Sequence, residues 1–307
     1  MDTLYFVGVT TGQSAATRLF PAWANELGLK DVGLAGADLP IHASRELYRD
    51  LVQRIKSDEH TRGALVTTHK IDLFEACRDL FDTIDESADL CGETSCLSKP
   101  GGMLCAQATD PISAGKALDE FLPADHFHTT DGHVLCLGAG GSAIAITLNL
   151  LRRYSPARIT VVNRSQGRLD AMRAVHTKLN SATKVDYICN ADPPANDQII
   201  RDLPPGSLVI NATGMGKDTP GSPITDDALF PENGVVWELN YRGELRFLKQ
   251  ALVQSPSRGL RVHDGWRYFL HGWATVIEEV FDLTINAHQL TRLAALSEPE
   301  RPPRAEA

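Results

Sequence analysis

A glycine-rich turn is the segment whose residue types most directly indicate a chemical task. The apolar run 134–137 predicts a buried strand before it, and the apolar segment 144–151 predicts a helix after it. Glycine lets a backbone approach a pyrophosphate closely, and a helix N-terminus offers free N–H groups and the positive end of a dipole. The pattern therefore predicts a nucleotide site, formed by Gly138, Ala139, Gly140, Gly141, Ser142 and Ala143.

The end of the next predicted strand, 158–162, indicates which nucleotide binds. An acidic side chain there would accept hydrogen bonds from a free ribose 2′-hydroxyl and repel a phosphate. This sequence instead has Asn163, Arg164 and Ser165, with Arg168 one helical turn further on. These residues favour a 2′-phosphate, and hence NADP over NAD. In the alternative interpretation, the two arginines are only solvated side chains in a loop and a first helical turn.

Three other segments end in residues suited to chemistry. The run 63–70 predicts a strand that delivers Lys70 at a strand-to-helix turn, and Asp110 stands at the start of a helix. A strand ending in Asn211, Ala212, Thr213, Gly214 and Met215 makes a turn of small residues, suited to lying beside a nicotinamide. Taken singly, Lys70 is equally consistent with a surface lysine, and Asp110 with a helix N-cap.

In this order, and with the segment 8–14, these motifs resemble the shikimate/quinate dehydrogenase family over roughly residues 5–285. The nucleotide half, with GAGGSA, NRS and NATGMG, resembles the family closely, whereas the first half resembles it in outline. The resemblance implies a catalytic pair, Lys70 and Asp110. It also implies substrate contacts from Ser14 and Tyr241, and a nicotinamide flanked by Met215 and Gly265.

That implied pair suits the reduction of a ring ketone, which needs hydride at carbon and a proton at the developing alkoxide. A cationic lysine stabilises the alkoxide and supplies the proton, and a nearby carboxylate orients the substrate hydroxyl and holds the lysine. We therefore expect an NADP-dependent oxidoreductase that interconverts a cyclic secondary alcohol and its ketone, as with shikimate and 3-dehydroshikimate.

Several substrate-binding side chains of the family are replaced in this sequence. A second serine becomes Ala16, two asparagines become Ala64 and Ala108, a third becomes Ser95, and a late glutamine becomes Gly272. Thr17 stands where proline is usual, and Tyr241 lacks the proline that normally follows. Each lost hydrogen bond to a charged group costs about 1.5–3 kcal/mol, so the usual substrate would bind less selectively.

Two explanations of these replacements remain open. Either Thr67, Thr68, His69 and Ser95 rebuild a polar pocket for a shikimate-like acid, or the substrate is another cyclic ketone, an amino-cyclitol or an imine. In the second case the small residues open space that Trp266, Tyr268 and Trp273 line, unless those aromatic rings only pack the last helix. His69 either contacts the substrate as an auxiliary acid or faces away from Lys70.

Composition narrows the class of protein. The chain has 307 residues, 43% of them hydrophobic, which suits two globular domains. A net charge of −9 without a basic block excludes a nucleic-acid surface, and no apolar stretch is long enough for a bilayer. Six irregularly spaced cysteines indicate reduced thiols, with no metal site. We expect a cytoplasmic protein that acts on a small cyclic molecule, with a homodimer left open.

Alternating strand and helix patterns predict an α/β fold with parallel sheets in two domains. Residues 1–118 form the substrate domain, joined by a C-terminal helix at 264–290, and residues 119–263 form a Rossmann-type doubly wound domain that binds NADP. The polar segment 126–133 is interpreted as a turn-like boundary, and 296–307 as a disordered tail. A regulatory protein that binds the nucleotide without catalysis is the alternative, against which the presence of both Lys70 and Asp110 argues.

Overall fold

The structure is a computed structural model, and it describes residues 1–217 and 219–302. The chain divides into two compact units, the first comprising residues 1–113 and 270–301, and the second residues 114–269 with Pro302. The divisions fall inside two helices, Asp110–Asp119 and Trp266–Phe281. No helix among the described residues is both long and apolar enough to cross a membrane.

The first unit begins with a six-stranded sheet and five helices. The strands are β1 Asp2–Gly8, β2 Val32–Asp38, β3 Thr61–Val66, β4 Thr83–Ile84, β5 Cys96–Ser98 and β6 Cys105–Gln107. The helices are α1 Ala15–Glu26, α2 Arg45–Ser57, α3 Lys70–Cys77, α4 Glu86–Cys91 and α5 Asp110–Asp119. On α2 the buried residues Tyr48, Leu51, Val52 and Ile55 recur at helical spacing and form one face that packs into the core.

The sheet of the first unit is mixed, whereas the sequence predicted a parallel one. Its strand order is β2-β1-β3-β5-β6-β4, with β1 parallel to both neighbours and β5 antiparallel to β3 and β6. The connection between β5 and β6 spans only residues 99–104, which is too short for the crossover that parallel neighbours need. Strands of two or three residues carry too little periodicity to be found in the sequence.

The second unit contains a fully parallel six-stranded sheet. Its strands are β7 Val134–Leu137, β8 Arg158–Asn163, β9 Lys184–Cys189, β10 Leu208–Asn211, β11 Val235–Glu238 and β12 Arg261–His263. Its helices are α6 His126–Thr130, α7 Gly141–Asn149, α8 Gln166–His176, α9 Pro193–Arg201 and α10 Arg246–Arg258, and α11 Trp266–Phe281 follows β12.

The strand order of this sheet is β12-β11-β10-β7-β8-β9, so the chain runs outward from β7 in one direction and then from β10 in the other. Strands β7 and β10 are neighbours, with Leu137 beside Asn211. Nucleotides bind in doubly wound sheets at the carboxyl ends of the strands where the order reverses. The predicted Rossmann-type architecture is confirmed, and it brings the turns after β7 and β10 to that edge.

Two local predictions were wrong. The segment expected to be turn-like contains helix α6, with His126 buried and its Nε2 2.8 Å from the carbonyl oxygen of Gly206. The expected tail is ordered as far as Pro302, because α12 (Ala287–Ser297) begins at a capping box and its Ser297 accepts a 3.0 Å hydrogen bond from Trp23. Residues 303–307 of that tail lie outside the described residues.

Candidate active site

Lys70 and Asp110 are brought together in the first unit. Lys70 is the first residue of α3, after β3, and Asp110 is the first residue of α5, after β6. The Lys70 Nζ donates a hydrogen bond to Oδ2 of Asp110, and the two side chains are 18% and 12% exposed. Burial alone would lower the pKa of Lys70, but the carboxylates of Asp110 and Glu93 outweigh it and raise that pKa. Lys70 is therefore a protonated, partly accessible donor.

The segment 92–95 links these two residues. The Thr94 N–H donates to the Lys70 carbonyl oxygen at 3.2 Å. The Ser95 hydroxyl accepts from the backbone N–H of Thr109 at 2.8 Å and from that of Asp110 at 3.4 Å. Ser95, which we expected to contact substrate, is 2% exposed, and its hydroxyl serves the N-terminus of α5. It thereby fixes the position of Asp110.

Glu93 is a functional candidate that the sequence did not suggest. It is 3% exposed, and burial raises its pKa to about 7, an effect that the Lys70 charge opposes and the Asp110 charge reinforces. Its only signal in the sequence is an acidic residue just before the buried strand β5, which is uncommon because carboxylates are rarely fully buried.

The ring of His69 is held by three groups, none of which is Lys70. Its Nδ1 lies 2.9 Å from the Tyr48 hydroxyl, and its Nε2 lies 3.2 Å from the carbonyl oxygens of both Gly8 and Leu39. Carbonyl oxygens only accept hydrogen bonds, so Nε2 carries the proton and Nδ1 accepts from Tyr48. Both ring nitrogens are thus engaged, and His69 is a structural anchor for the residue that follows it.

The other two substrate candidates of this unit, Ser14 and Thr67, have hydroxyl groups that do not donate a hydrogen bond to any described residue. The Ser14 hydroxyl accepts from the Ala16 N–H at 3.3 Å as the N-cap of α1. Thr67 is half-buried, and its N–H donates to the carbonyl oxygen of Val7 at 3.0 Å. Neither hydroxyl donates to a described protein group, so both remain available as donors.

Three of the replaced positions are buried, whereas one explanation from the sequence had them open space for a different substrate. Ala16, Ala64 and Ala108 are 0% exposed, and their methyl groups belong to the core of the first unit. A Cβ at Gly272 would meet no heavy atom within 4 Å, so this position has free space beside it. Trp273 is 4% exposed, and its ring packs against Phe6 with centroids 5.0 Å apart.

The glycine turn of the second unit has the geometry of a phosphate cradle. Gly138 has a φ of +116°, and a Cβ there would lie 2.6 Å from the Ala212 carbonyl oxygen, so only glycine fits. A Cβ at Gly140 would meet nothing within 4 Å, which leaves space in front of α7. Helix α7 begins at Gly141 without a side-chain cap, so its first N–H groups, including those of Ser142 and Ala143, lack a side-chain acceptor.

A buried carboxylate ties down the turn after β10. The Asn211 Nδ2 donates to the Oε2 of Glu238 at 2.6 Å, and the Asn211 Oδ1 accepts from the hydroxyl and the N–H of Thr213 at 2.6 and 3.1 Å. Burial raises the pKa of Glu238 to about 8, although hydrogen bonds from Asn240 and Asn211 lower it. Neither Glu238 nor Asn240 was singled out in the sequence; an acidic residue ending the apolar run 235–237 was the available signal.

Asn240 joins the two residues expected to flank a nicotinamide. Its side-chain Nδ2 donates to the Met215 carbonyl oxygen at 3.1 Å, and its own carbonyl oxygen accepts from the Gly265 N–H at 3.3 Å. A Cβ at Gly265 would lie 1.9 Å from the Leu239 carbonyl oxygen, so this position admits only glycine. Tyr241, the next residue, packs its ring 4.8 Å from that of Phe269.

The residues after β8 form an exposed basic end. Asn163 is half-buried, and its Nδ2 donates to the Ser165 carbonyl oxygen at 3.2 Å. Arg164 and Arg168 are both exposed, and within residues 1–217 and 219–302 neither guanidinium forms an ion pair with a carboxylate. Two uncompensated arginines on one loop and the following helical turn are suited to a phosphate.

No family model matches the chain. The curated proteins that are similar to it in sequence include shikimate dehydrogenases from several organisms. A shikimate dehydrogenase (NADP(+)) of Rhodopseudomonas palustris is 29% identical over 301 residues, which cover 97% of this chain and 96% of that protein. One of Symbiobacterium thermophilum is 29% identical over 205 residues, covering 64% of this chain and 67% of that protein.

Solved structures share the fold at lower identity. The shikimate 5-dehydrogenase of Thermus thermophilus, in complex with NADP(H) and shikimate, has a TM-score of 0.70 at 21% identity, covering 97% of this chain and 100% of that one. The quinate dehydrogenase of Corynebacterium glutamicum, in complex with NAD, has a TM-score of 0.75 at 20% identity, covering 97% and 99%. Sequence similarity to shikimate dehydrogenases thus extends over nearly the whole length of the chain.

Proposed function

We propose that the protein is a cytoplasmic NADP-dependent oxidoreductase that transfers hydride reversibly between NADPH and a small cyclic ketone. Its relatives are named as NADP-dependent shikimate dehydrogenases, which supports a substrate of the 3-dehydroshikimate and shikimate type. The observation that carries the proposal is the hydrogen-bonded pair of Lys70 and Asp110, both partly accessible, at the starts of two helices.

Lys70 performs the acid–base step. In ketone reduction its ammonium donates a proton from Nζ to the oxygen that becomes the alcohol, and in oxidation the neutral amine takes that proton back. Asp110 keeps Nζ in place and stabilises the Lys70 ammonium. The positive charge of that ammonium in turn stabilises the developing alkoxide. We assign further substrate contacts to the hydroxyls of Ser14 and Thr67 and to Tyr241, with Ser95 acting through the position of Asp110.

The second unit fits an NADP cofactor, which supplies the hydride when bound. The residues from Gly138 to Ala143 would hold the pyrophosphate at the open N-terminus of α7. Asn163, Arg164, Ser165 and Arg168 would hold the adenosine phosphate. The turn from Asn211 to Met215, fixed by Glu238 and joined through Asn240 to Gly265, would present a rigid surface to the nicotinamide.

A changed substrate is the second candidate, and one observation favours it. The three alanines that replace hydrogen-bonding residues of the family are packed in the core, so no polar side chain stands at those positions. Another cyclic ketone, an amino-cyclitol ketone or an imine would then be reduced through the same Lys70 and Asp110.

One screen tests both candidates. The purified protein is mixed with NADPH and with 3-dehydroshikimate, other cyclic keto acids, neutral cyclic ketones and cyclic imines, and the loss of NADPH absorbance is followed. We expect turnover of at least one compound, abolished in Lys70→Ala and retained in Lys30→Ala, an exposed lysine of the same unit. NADPH binding without any turnover would contradict the dehydrogenase assignment and favour a regulatory protein.

A further inference from the structure

Glu93 directly precedes two residues that are hydrogen-bonded to the proposed catalytic pair. The residue after it, Thr94, is bonded to the main chain of Lys70, and the next, Ser95, is bonded to the main chain of Asp110. Its own N–H donates to the Ala88 carbonyl oxygen at 3.3 Å. The Glu93 carboxylate is close enough to both Lys70 and Asp110 for their charges to act on it.

The Glu93 carboxylate has no hydrogen-bond donor among the described residues, although it is 3% exposed. The Lys70 ammonium has three N–H donors, but the side-chain hydrogen bond that it forms among the described residues goes to Asp110 and not to Glu93. Buried carboxyl groups in folded proteins are almost always hydrogen-bonded, since an unpartnered one carries an uncompensated desolvation cost. An unpartnered carboxylate beside a catalytic lysine is therefore an acceptor available to a ligand.

The charges around Lys70 restrict what that ligand group is. One ammonium stands among two carboxylates, so a substrate carboxylate beside Glu93 would be repelled, and a donor group would be attracted. Building on the proposed function, we propose that Glu93 is a substrate-specificity residue that accepts a hydrogen bond from a hydroxyl or ammonium group on the ring carbon next to the reacting carbonyl.

The test compares four ketones that differ only beside the carbonyl. Wild type is assayed for NADPH oxidation with 2-hydroxycyclohexanone, 2-methoxycyclohexanone, protonated 2-(dimethylamino)cyclohexanone and unsubstituted cyclohexanone, with 3-dehydroshikimate as reference. A hydrogen bond to a charged acceptor predicts that kcat/KM for the hydroxy ketone exceeds that for the methoxy ketone by about tenfold or more. A higher kcat/KM for the ammonium ketone than for the hydroxy ketone would identify the cation as the preferred donor.

Three variants distinguish a Glu93 that binds the substrate from a Glu93 that only positions Lys70. Glu93→Gln keeps the shape and a neutral acceptor, so it should lose the preference for the ammonium ketone and retain part of that for the hydroxy ketone. Glu93→Ala should lose both, whereas Glu75→Gln, an exposed carboxylate on α3, should change neither. Thermal unfolding tests whether each variant is folded. If Glu93→Ala does not fold, the test rests on Glu93→Gln, through the ratio of its kcat/KM for the ammonium ketone to its kcat/KM for the hydroxy ketone.

Two results would overturn the inference while leaving the proposed function standing. In one, wild type reduces 3-dehydroshikimate but neither reduces nor discriminates among the small ketones. In the other, folded Glu93 variants lower kcat/KM for all ketones equally, which is the behaviour of a residue that only positions Lys70. NADPH binding with no turnover of any of the five compounds would instead contradict the proposed function itself.

Discussion

The side-chain amide of Asn211 donates a 2.6 Å hydrogen bond to the carboxylate of Glu238, which is fully buried at the end of β11. That carboxylate also accepts from the Asn240 N–H at 2.8 Å. One acidic group thus fixes two neighbouring turns at the carboxyl edge of the parallel sheet. The cost of burying it makes this part of the protein sensitive to pH.

The thermal stability of wild type should fall relative to Glu238→Gln as the pH rises. Burial raises the pKa of Glu238 from 4.5 to about 8, so the folded protein binds this proton more tightly than the unfolded chain does. The associated stability is present below pH 4.5 and is lost as the pH rises toward 8. Melting temperatures across that range measure the difference. Parallel profiles for the two proteins would contradict the prediction, and Glu232→Gln, an exposed carboxylate of the same unit, should follow wild type.

Gly138→Ala should lower the stability of the protein, whereas Gly140→Ala should lower its affinity for NADPH. The first places a Cβ 2.6 Å from the Ala212 carbonyl oxygen at a φ of +116°, which should cost about 2–4 kcal/mol of stability. The second places a Cβ in open space, so the fold should be unchanged while NADPH binding weakens by crowding of the pyrophosphate. Urea unfolding and fluorescence titration with NADPH distinguish them. A Gly140→Ala protein with wild-type NADPH affinity would show that the phosphate does not lie there.

Arg164→Ala should weaken NADPH binding far more than NADH binding. The guanidinium is exposed and has no carboxylate partner among the described residues, so its loss removes a charge-assisted bond to the 2′-phosphate that NADH lacks. The expected change in the NADPH dissociation constant is about tenfold or more. Calorimetric titrations with both nucleotides measure it, and Arg201→Ala, an exposed arginine at the end of α9, serves as the control. Equal weakening of both nucleotides would be inconsistent with a 2′-phosphate contact.

Ser95→Ala should lower kcat more than it raises KM. The hydroxyl accepts from the N–H groups of Thr109 and Asp110, so its removal leaves buried donors unpaired, costs about 1–3 kcal/mol of stability and loosens Asp110. Steady-state kinetics and thermal unfolding check this. Ser98→Ala, a buried serine that donates to Gln107 instead, should lose stability while its kcat stays close to that of wild type. A rise in KM at constant kcat would contradict this prediction and would indicate that Ser95 contacts the substrate.

The centre of the parallel sheet of the second unit could be predicted because β7, β10 and β11 are short, mostly apolar runs separated by helical patterns, as strands covered on both faces must be. The motif positions follow from that sheet, since each strand delivers its last residues to the same edge. Strands β4, β5 and β6 could not be predicted, because pairing between segments distant in sequence stabilises them. Helix α12 did carry a local signal, the Asn286 and Gln289 capping box.

For the site, residue types indicated the chemistry, but not which hydrogen bonds each residue makes. Ser95 looked like a ligand contact because a hydroxyl has the same appearance in a sequence whether it bonds substrate or backbone. Glu93 and Glu238 were overlooked because an acidic residue is by default a solvated one, and only burial makes them notable. One of the two explanations of the replaced residues had the alanines open space for another substrate, whereas all three alanines are buried.

The anchoring of His69 has a consequence for how the sequence around it can change. Two of the three groups that hold its ring are main-chain carbonyls, at Gly8 and Leu39, and every amino acid supplies a carbonyl. Only Tyr48 contributes through its side chain. The residues at the ends of β1 and β2 are therefore free to change in evolution without displacing the backbone that leads into Lys70, so the position of the lysine can persist after the motif around it has become hard to detect.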